Sequence, residues 1–311
     1  MSAPMDAVKK GHLLALFSIF IWATTFISTT VLLSDFRPAE ILFFRISLAI
    51  AVLTIVRPRR LRLTSPRHHL YFAGAGLCGV TLYFLFENTA LTYTYAANCS
   101  VVVSTAPFFV ALAVHLFLKS ENLNRWFFVG FVTAIAGVGL TVFSGQTLQL
   151  NPLGDLLCIL AAISWAGYSV FVKKIDAHGY DTLLITRRIF AYGLFFLVIC
   201  LPFTDFSPDF AAILRPVNLL NFLYLGLGAS ALCFVTWNTA VKNLGAVKTS
   251  VYIYVSPAIT IVTAWLVLRD PILPLALGGA ALTFLGLLVS QRGVRTASAA
   301  PEKAVSTLRN D

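Results

Sequence analysis

Three charged side chains sit inside stretches that are otherwise apolar. They are Arg45 in "ILFFRISLAI" (41–50), Arg188 in "LLITRRIFAY" (183–192) and Glu87 in "YFLFENTA" (83–90). A carboxylate among apolar neighbours can hold a cation or pass a proton. A guanidinium can hold a carboxylate or backbone carbonyls, so each of the three is a functional candidate by default. Five aromatic residues, Trp22, Tyr83, Trp165, Tyr168 and Trp237, join Asn88 in a set suited to a small solute. Their flat faces accept varied groups without one fixed hydrogen-bond pattern. Reaction chemistry finds no comparable set. The histidines (12, 68, 69, 115, 178) and cysteines (78, 99, 158, 200, 233) show no metal-ligand spacing. No nucleophile–base pair or phosphate-cradling loop is evident. The residues point to passage of a solute rather than catalysis, with no metal or cofactor.

Such residues need a membrane to position them. Of 311 residues, 58% are hydrophobic and 12% charged, with a mean hydropathy of +0.84. Soluble domains average roughly 45–50% and about 25%. Ten apolar runs lie near 11–33, 38–56, 69–92, 96–118, 125–143, 152–173, 181–201, 217–241, 246–268 and 272–290. Runs of about twenty residues match a hydrocarbon core of ~30 Å. The first, behind Lys9 and Lys10, is too long for a signal-peptide core and reads as a retained helix. Short connections make consecutive helices antiparallel, and an even number of spans puts both termini on one side. Seventeen lysines and arginines fall on that side, and three (Arg37, Arg215, Arg269) on the other; Arg45, Arg187 and Arg188 complete the 23. That bias places both termini in the cytoplasm. The formal net charge of +10 lies between apolar runs, as membrane-orienting charge rather than a nucleic-acid groove. Residues 291–311, rich in Ala, Ser, Lys and Arg, are expected to be a disordered cytoplasmic tail.

A repeat runs through the spacing. An offset of 143 lays Gly11 on Gly154, Trp22 on Trp165 and Arg45 on Arg188. At 150, Asn88 meets Asn238, Ser100 meets Ser250 and Pro107 meets Pro257. At 149, Gly130 meets Gly279, Gly137 meets Gly286 and Glu121 meets Asp270. The chain thus divides into five-helix repeats at 11–143 and 152–290. An odd number of spans per repeat makes the second enter from the opposite side. Inverted repeats of this kind are a transporter signature, with the solute site near the midplane.

The same residues resemble a known family. "WATTF" (22–26), "FFR" (43–45), Ala96-x(7)-Ser104-x-Ala106-Pro107, Ser250-x(5)-Ser256-Pro257 and Glu121 carry the likeness. Over about 11–290 the chain resembles the EamA family of the drug/metabolite transporter superfamily, and within it the YddG-type amino-acid exporters of bacteria. The second half departs where Asp270, followed by Pro271, stands for the closing glutamate. The resemblance implies ten helices in two inverted halves and export of metabolites.

Helix rise turns sequence into depth. Trp22 and Trp165 lie eleven residues past Gly11 and Gly154, about 16 Å in at 1.5 Å per residue and near the bilayer centre. Pro107 and Pro257, eleven past Ala96 and Ala246, fall at that level. They should break their helices where protein or a wet cavity satisfies the freed carbonyls. The two tryptophans beside broken helices are therefore placed on a cavity wall in preference to ordinary packing. Ser18, Trp22, Thr25 and Thr29 share one helix face; Gly79, Tyr83 and Glu87 share another, and Trp165 and Tyr168 a third. Small hydroxyls also serve as glue between helices. Glu87 lies late on an outward-going helix, so solute binding and simple wetting at the outer mouth are both open. Arg45 lies about 10 Å in from outside and Arg188 at matching depth from inside. Brackets that hold the fold are preferred for them over carboxylate binding. Gly130, Ala134, Gly137, Gly279 and Gly286 are expected to pack within the bundle, with dimerisation as the other use.

The expectation is an all-α integral membrane protein, a secondary transporter exporting amino acids and related small metabolites across the bacterial inner membrane by alternating access. Trp22, Tyr83, Glu87, Asn88, Trp165, Tyr168 and Trp237 are assigned to substrate, and Arg45, Arg188, Pro107 and Pro257 to structure or gating. Its partners are a small solute and the lipid bilayer, not nucleic acid, and it is taken as a monomer. A nucleotide-sugar or drug carrier of the same architecture is the rival, and an integral-membrane enzyme a more distant one.

Overall fold

Within hydrocarbon every backbone donor and acceptor needs an internal partner, which a long apolar run achieves by becoming a helix. The computed structural model describes residues 5–119, 121–142, 152–270, 274–292 and 294–296. Residues 143–151, around Gln146, and those beyond 296 lie outside the described residues. The first half contains α1 (Met5–Leu32), α2 (Pro38–Val56), α3 (Arg67–Ala90), α4 (Ala96–Leu118) and α5 (Arg125–Val142). The second contains α6 (Pro152–Asp176), α7 (Thr182–Phe203), α8 (Pro216–Leu244), α9 (Ala246–Val267) and α10 (Pro274–Arg292). Among the described residues, eight of these are long and apolar enough to cross a membrane; α5 and α10 contain shorter apolar stretches, Arg125–Leu140 and Leu277–Ser290.

Among the described residues, four helices are irregular in their interiors. A π-helical stretch widens α3 at Leu77–Leu82 and α8 at Tyr224–Leu232. α4 turns at residues 104–105 before continuing as Ala106–Leu118, and α9 passes through a 3-10 turn at Val251–Val255 before Ser256–Val267. Both breaks come just ahead of the prolines, as the sequence expects. Pro107 and Pro257 each stand in the first two positions of the new segment, where a missing N–H removes no helical bond.

The halves interlock. α1 packs on α8 and α9, while α6 packs on α3 and α4. Short hydroxyl bonds stitch the first seam. Ser18 Oγ meets Thr236 Oγ1 at 2.7 Å, Ser28 Oγ donates to Asn221 Oδ1 at 2.6 Å, and Thr260 Oγ1 donates to the Ala23 carbonyl at 2.8 Å. Ser18 is thus glue between helices. α5 lies along α10, backbone against backbone. A Cβ on Gly286 would fall 2.8 Å from Ala134 Cα and one on Gly130 2.6 Å from Ser290 Cα, so a larger residue at either point would push the helices apart.

Polar ties close the bundle at its ends. Arg215 pairs with Asp35 at 3.1 Å, and the buried Glu40 accepts from the Arg37 and Ser207 amides at 2.9 and 2.8 Å. At the other end Arg57 pairs with Asp181 at 3.3 Å. Arg187 donates to the carbonyls of Arg57 (2.6 Å) and Arg59, and Arg188 donates to that of Leu61 (3.2 Å). The segment expected to be disordered from 291 begins as the end of α10 and a strand, β2 (Val294–Thr296). It runs antiparallel to β1 (Glu121–Leu123), with Asn122 opposite Arg295.

Candidate functional site

A cavity of about 50 Å³ lies where α1, α2, α3, α4, α6, α8 and α9 converge. Its wall includes Trp22, Arg45, Tyr83, Glu87, Trp165 and Phe234. α1 and α6 bring the two tryptophans together edge to face, with centroids 5.4 Å apart. Tyr83 and Phe234 pack on them at 5.2 and 5.3 Å. Ser104 and Ser256, at the breaks in α4 and α9, also line the space, so the proline breaks open onto the site.

The π segment of α8 supplies the polar anchors. A wide turn leaves backbone and side-chain acceptors outside the regular ladder. Trp22 Nε1 donates to the Ala229 carbonyl at 2.8 Å, and Arg45 Nε donates to Ser230 Oγ at 3.0 Å. The guanidinium of Arg45 lies over the Phe84 ring, 4.0 Å from its centroid. Among the described residues, Trp165 Nε1 is buried without a hydrogen-bond partner. A donor left so is costly unless a ligand or water completes it.

The assigned residues fall into groups. Trp22, Tyr83, Glu87 and Trp165 line the cavity. Tyr168 and Trp237 lie behind the wall, with centroids 4.8 and 6.0 Å from Trp165. Tyr168 Oη donates to Asn238 Oδ1 at 2.7 Å, and Asn238 Nδ2 donates to Thr186 Oγ1 at 3.1 Å. That chain ties α6 to α8 and α7. Gly79 stands where a side chain would strike the Tyr168 ring, so it seats that ring rather than the solute. Asn88 is also off the wall, its Nδ2 donating to the Pro38 carbonyl at 3.2 Å. Pro107 and Pro257 sit one residue past the lining Ala106 and Ser256.

The two arginines, matched in sequence, have different surroundings. Arg188 clips the connection after α2, as a bracket would. Arg45 is 1% exposed and faces the cavity. Sequence reasoning did not bring Arg45, Phe84, Phe234 or Ser256 to the site. A signal existed for Arg45: it and Glu87 carry opposite charges toward the same end of two consecutive antiparallel helices, Glu87 three residues before Ala90 and Arg45 seven past Pro38.

Comparison with known proteins accords with this architecture. The EamA-like transporter family model matches residues 9–143 and again 152–291. An "Uncharacterized transporter" of Archaeoglobus fulgidus is 32% identical, over 87% of this chain and 94% of its own length. A "Probable terminal-alkyne amino-acid exporter" of Streptantibioticus cattleyicolor is 26% identical over 88% and 91%. A "Probable amino-acid metabolite efflux pump" of Salmonella typhimurium is 25% identical over 92% and 96%. A solved crystal structure, 20% identical, covers 91% of this chain and 97% of its own with a TM-score of 0.64, a likeness of fold. The protein is a multi-pass integral membrane transporter. It belongs to the EamA-like transporter family.

Proposed function

We propose that the chain is a secondary transporter that exports amino acids and related small metabolites across the bacterial inner membrane, as a monomer with both termini cytoplasmic. Ten spans form two inverted five-helix halves that rock about the cavity, exposing it to each side in turn. The observation that carries this reading is a cavity walled by Trp22 from one half and Trp165 from the other. Matching irregularities support it, since the π segments and the proline breaks recur at corresponding places in the two halves. So do two relatives whose names specify amino-acid export.

Counterflow in liposomes tests the reading. Vesicles holding purified protein and unlabelled amino acid should accumulate the labelled amino acid transiently, and protein-free vesicles should not. Absence of accumulation across a panel of small amino acids overturns the substrate class.

A further inference from the structure

Arg45 and Glu87 present opposite charges to one cavity without closing on each other. Both line it, and no nitrogen–oxygen pair between them falls within 4.0 Å. They are 1% and 5% exposed. A buried charge is costly unless paired. Two opposite charges held apart across a space are both completed by a ligand that carries both signs.

Resting on the transport reading above, we propose that Arg45 and Glu87 bind the zwitterionic head of an α-amino acid. Arg45, with Nε already committed to Ser230, turns its terminal nitrogens to the ligand carboxylate, a charge-assisted pairing that suits a planar guanidinium. The Glu87 carboxylate accepts from the ligand ammonium. Trp165 Nε1, unpartnered in the same wall, supplies a further donor to the carboxylate. Trp22 and Phe234 face the ligand side chain. One water needs about 10–15 Å³ by this measure of cavity volume. A space of about 50 Å³ therefore suits amino acids with small side chains, from glycine to valine, ahead of larger ones. A net-neutral ligand leaves the site's charge balanced, whereas an amine or a carboxylic acid completes one charge and strands the other.

The test is competition against labelled L-valine in counterflow, using L-valine, isobutylamine (no carboxylate) and isovalerate (no ammonium). Each analogue should compete about 10–100-fold less well than L-valine, because each leaves a buried charge unpaired. Arg45→Gln should narrow the gap between L-valine and isobutylamine, Glu87→Gln that between L-valine and isovalerate, and Arg45→Lys should keep both gaps. Equal competition by the analogues in the unmodified protein overturns the proposal, and so do unchanged gaps in folded glutamine variants. Should the variants not fold, the comparison in the unmodified protein decides alone. If the protein moves no amino acid, the transport reading itself fails; valine transport with equal competition defeats the zwitterion site only.

Discussion

Trp22 on α1 and Trp165 on α6 meet edge to face, 5.4 Å between centroids and 87° between planes, although each belongs to a different half of the chain. Their helices are exchanged as well, α1 packing on the second half and α6 on the first. A solute lodged between the rings must part a contact that also joins the halves. In the alternating-access cycle proposed above, solute passage and relative movement of the halves would be coupled for that reason.

Cross-linking the halves should stop transport. Cys99 on α4 and Cys158 on α6 are buried with their Sγ atoms 2.9 Å apart. A permeant azo oxidant such as diamide removes two electrons and two protons from the thiols, forming the disulfide and the corresponding hydrazine. Counterflow should then fall at least ~10-fold and return on reduction, since a covalent tie forbids the separation that alternating access requires. Cys99→Ser should be insensitive. Full transport by protein shown by mass to be cross-linked would mean that α4 and α6 move as one body.

Topology is set by the distribution of charge. A reporter fused after Arg292 should be cytoplasmic, and one inserted near Gln146 external, because lysine and arginine fall 17 to 3 on the two sides. An external C-terminus would contradict the inverted halves.

Local chemistry made much of this fold legible. Apolar runs marked the helices, and Pro107 and Pro257 marked the breaks in α4 and α9, because a missing N–H acts where it stands. The face each residue presents was harder to read. Counting along an α-helix assumes 3.6 residues per turn, but the π stretches at Leu77–Leu82 and Tyr224–Leu232 widen the turn and rotate the later residues of each helix. Asn88, assigned to substrate in the sequence, lies off the cavity wall and donates to the Pro38 carbonyl. Arg45 shows the other limit. Its position along α2 gives a depth, but depth along one axis says nothing about which side faces the cavity.

Tyr168 separates wall from support. Its hydroxyl donates to Asn238 behind the cavity, so Tyr168→Phe removes a buried hydrogen bond and leaves Asn238 Oδ1 without it. Stability should fall by about 1–3 kcal/mol, read as a lower unfolding temperature in detergent. Transport per folded molecule should stay within about twofold, in keeping with a ring that touches Trp165 rather than solute. A large loss of transport at unchanged stability would put Tyr168 on the solute path.

Trp165 should behave in the opposite way. Its indole is 4% exposed and packs against Trp22, Tyr83, Tyr168, Phe234 and Trp237. Trp165→Ala would empty the centre of that cluster and cost about 3–5 kcal/mol, mixing a folding defect with any loss of function. Trp165→Phe is the cleaner variant. It keeps an aromatic ring and deletes Nε1, a buried donor with no partner among the described residues. An unmet donor penalises the empty protein by about 1–3 kcal/mol. Its removal offsets the packing lost on going from indole to phenyl, so the unfolding temperature should change little. A bound solute that accepts from Nε1 loses that bond, so half-saturation for the amino acid should rise about 5–10-fold, the weight of one hydrogen bond of about 1–1.5 kcal/mol. Counterflow across substrate concentrations, normalised to reconstituted protein, measures it. An unaltered half-saturation would show that the unpartnered nitrogen has no part in holding the solute.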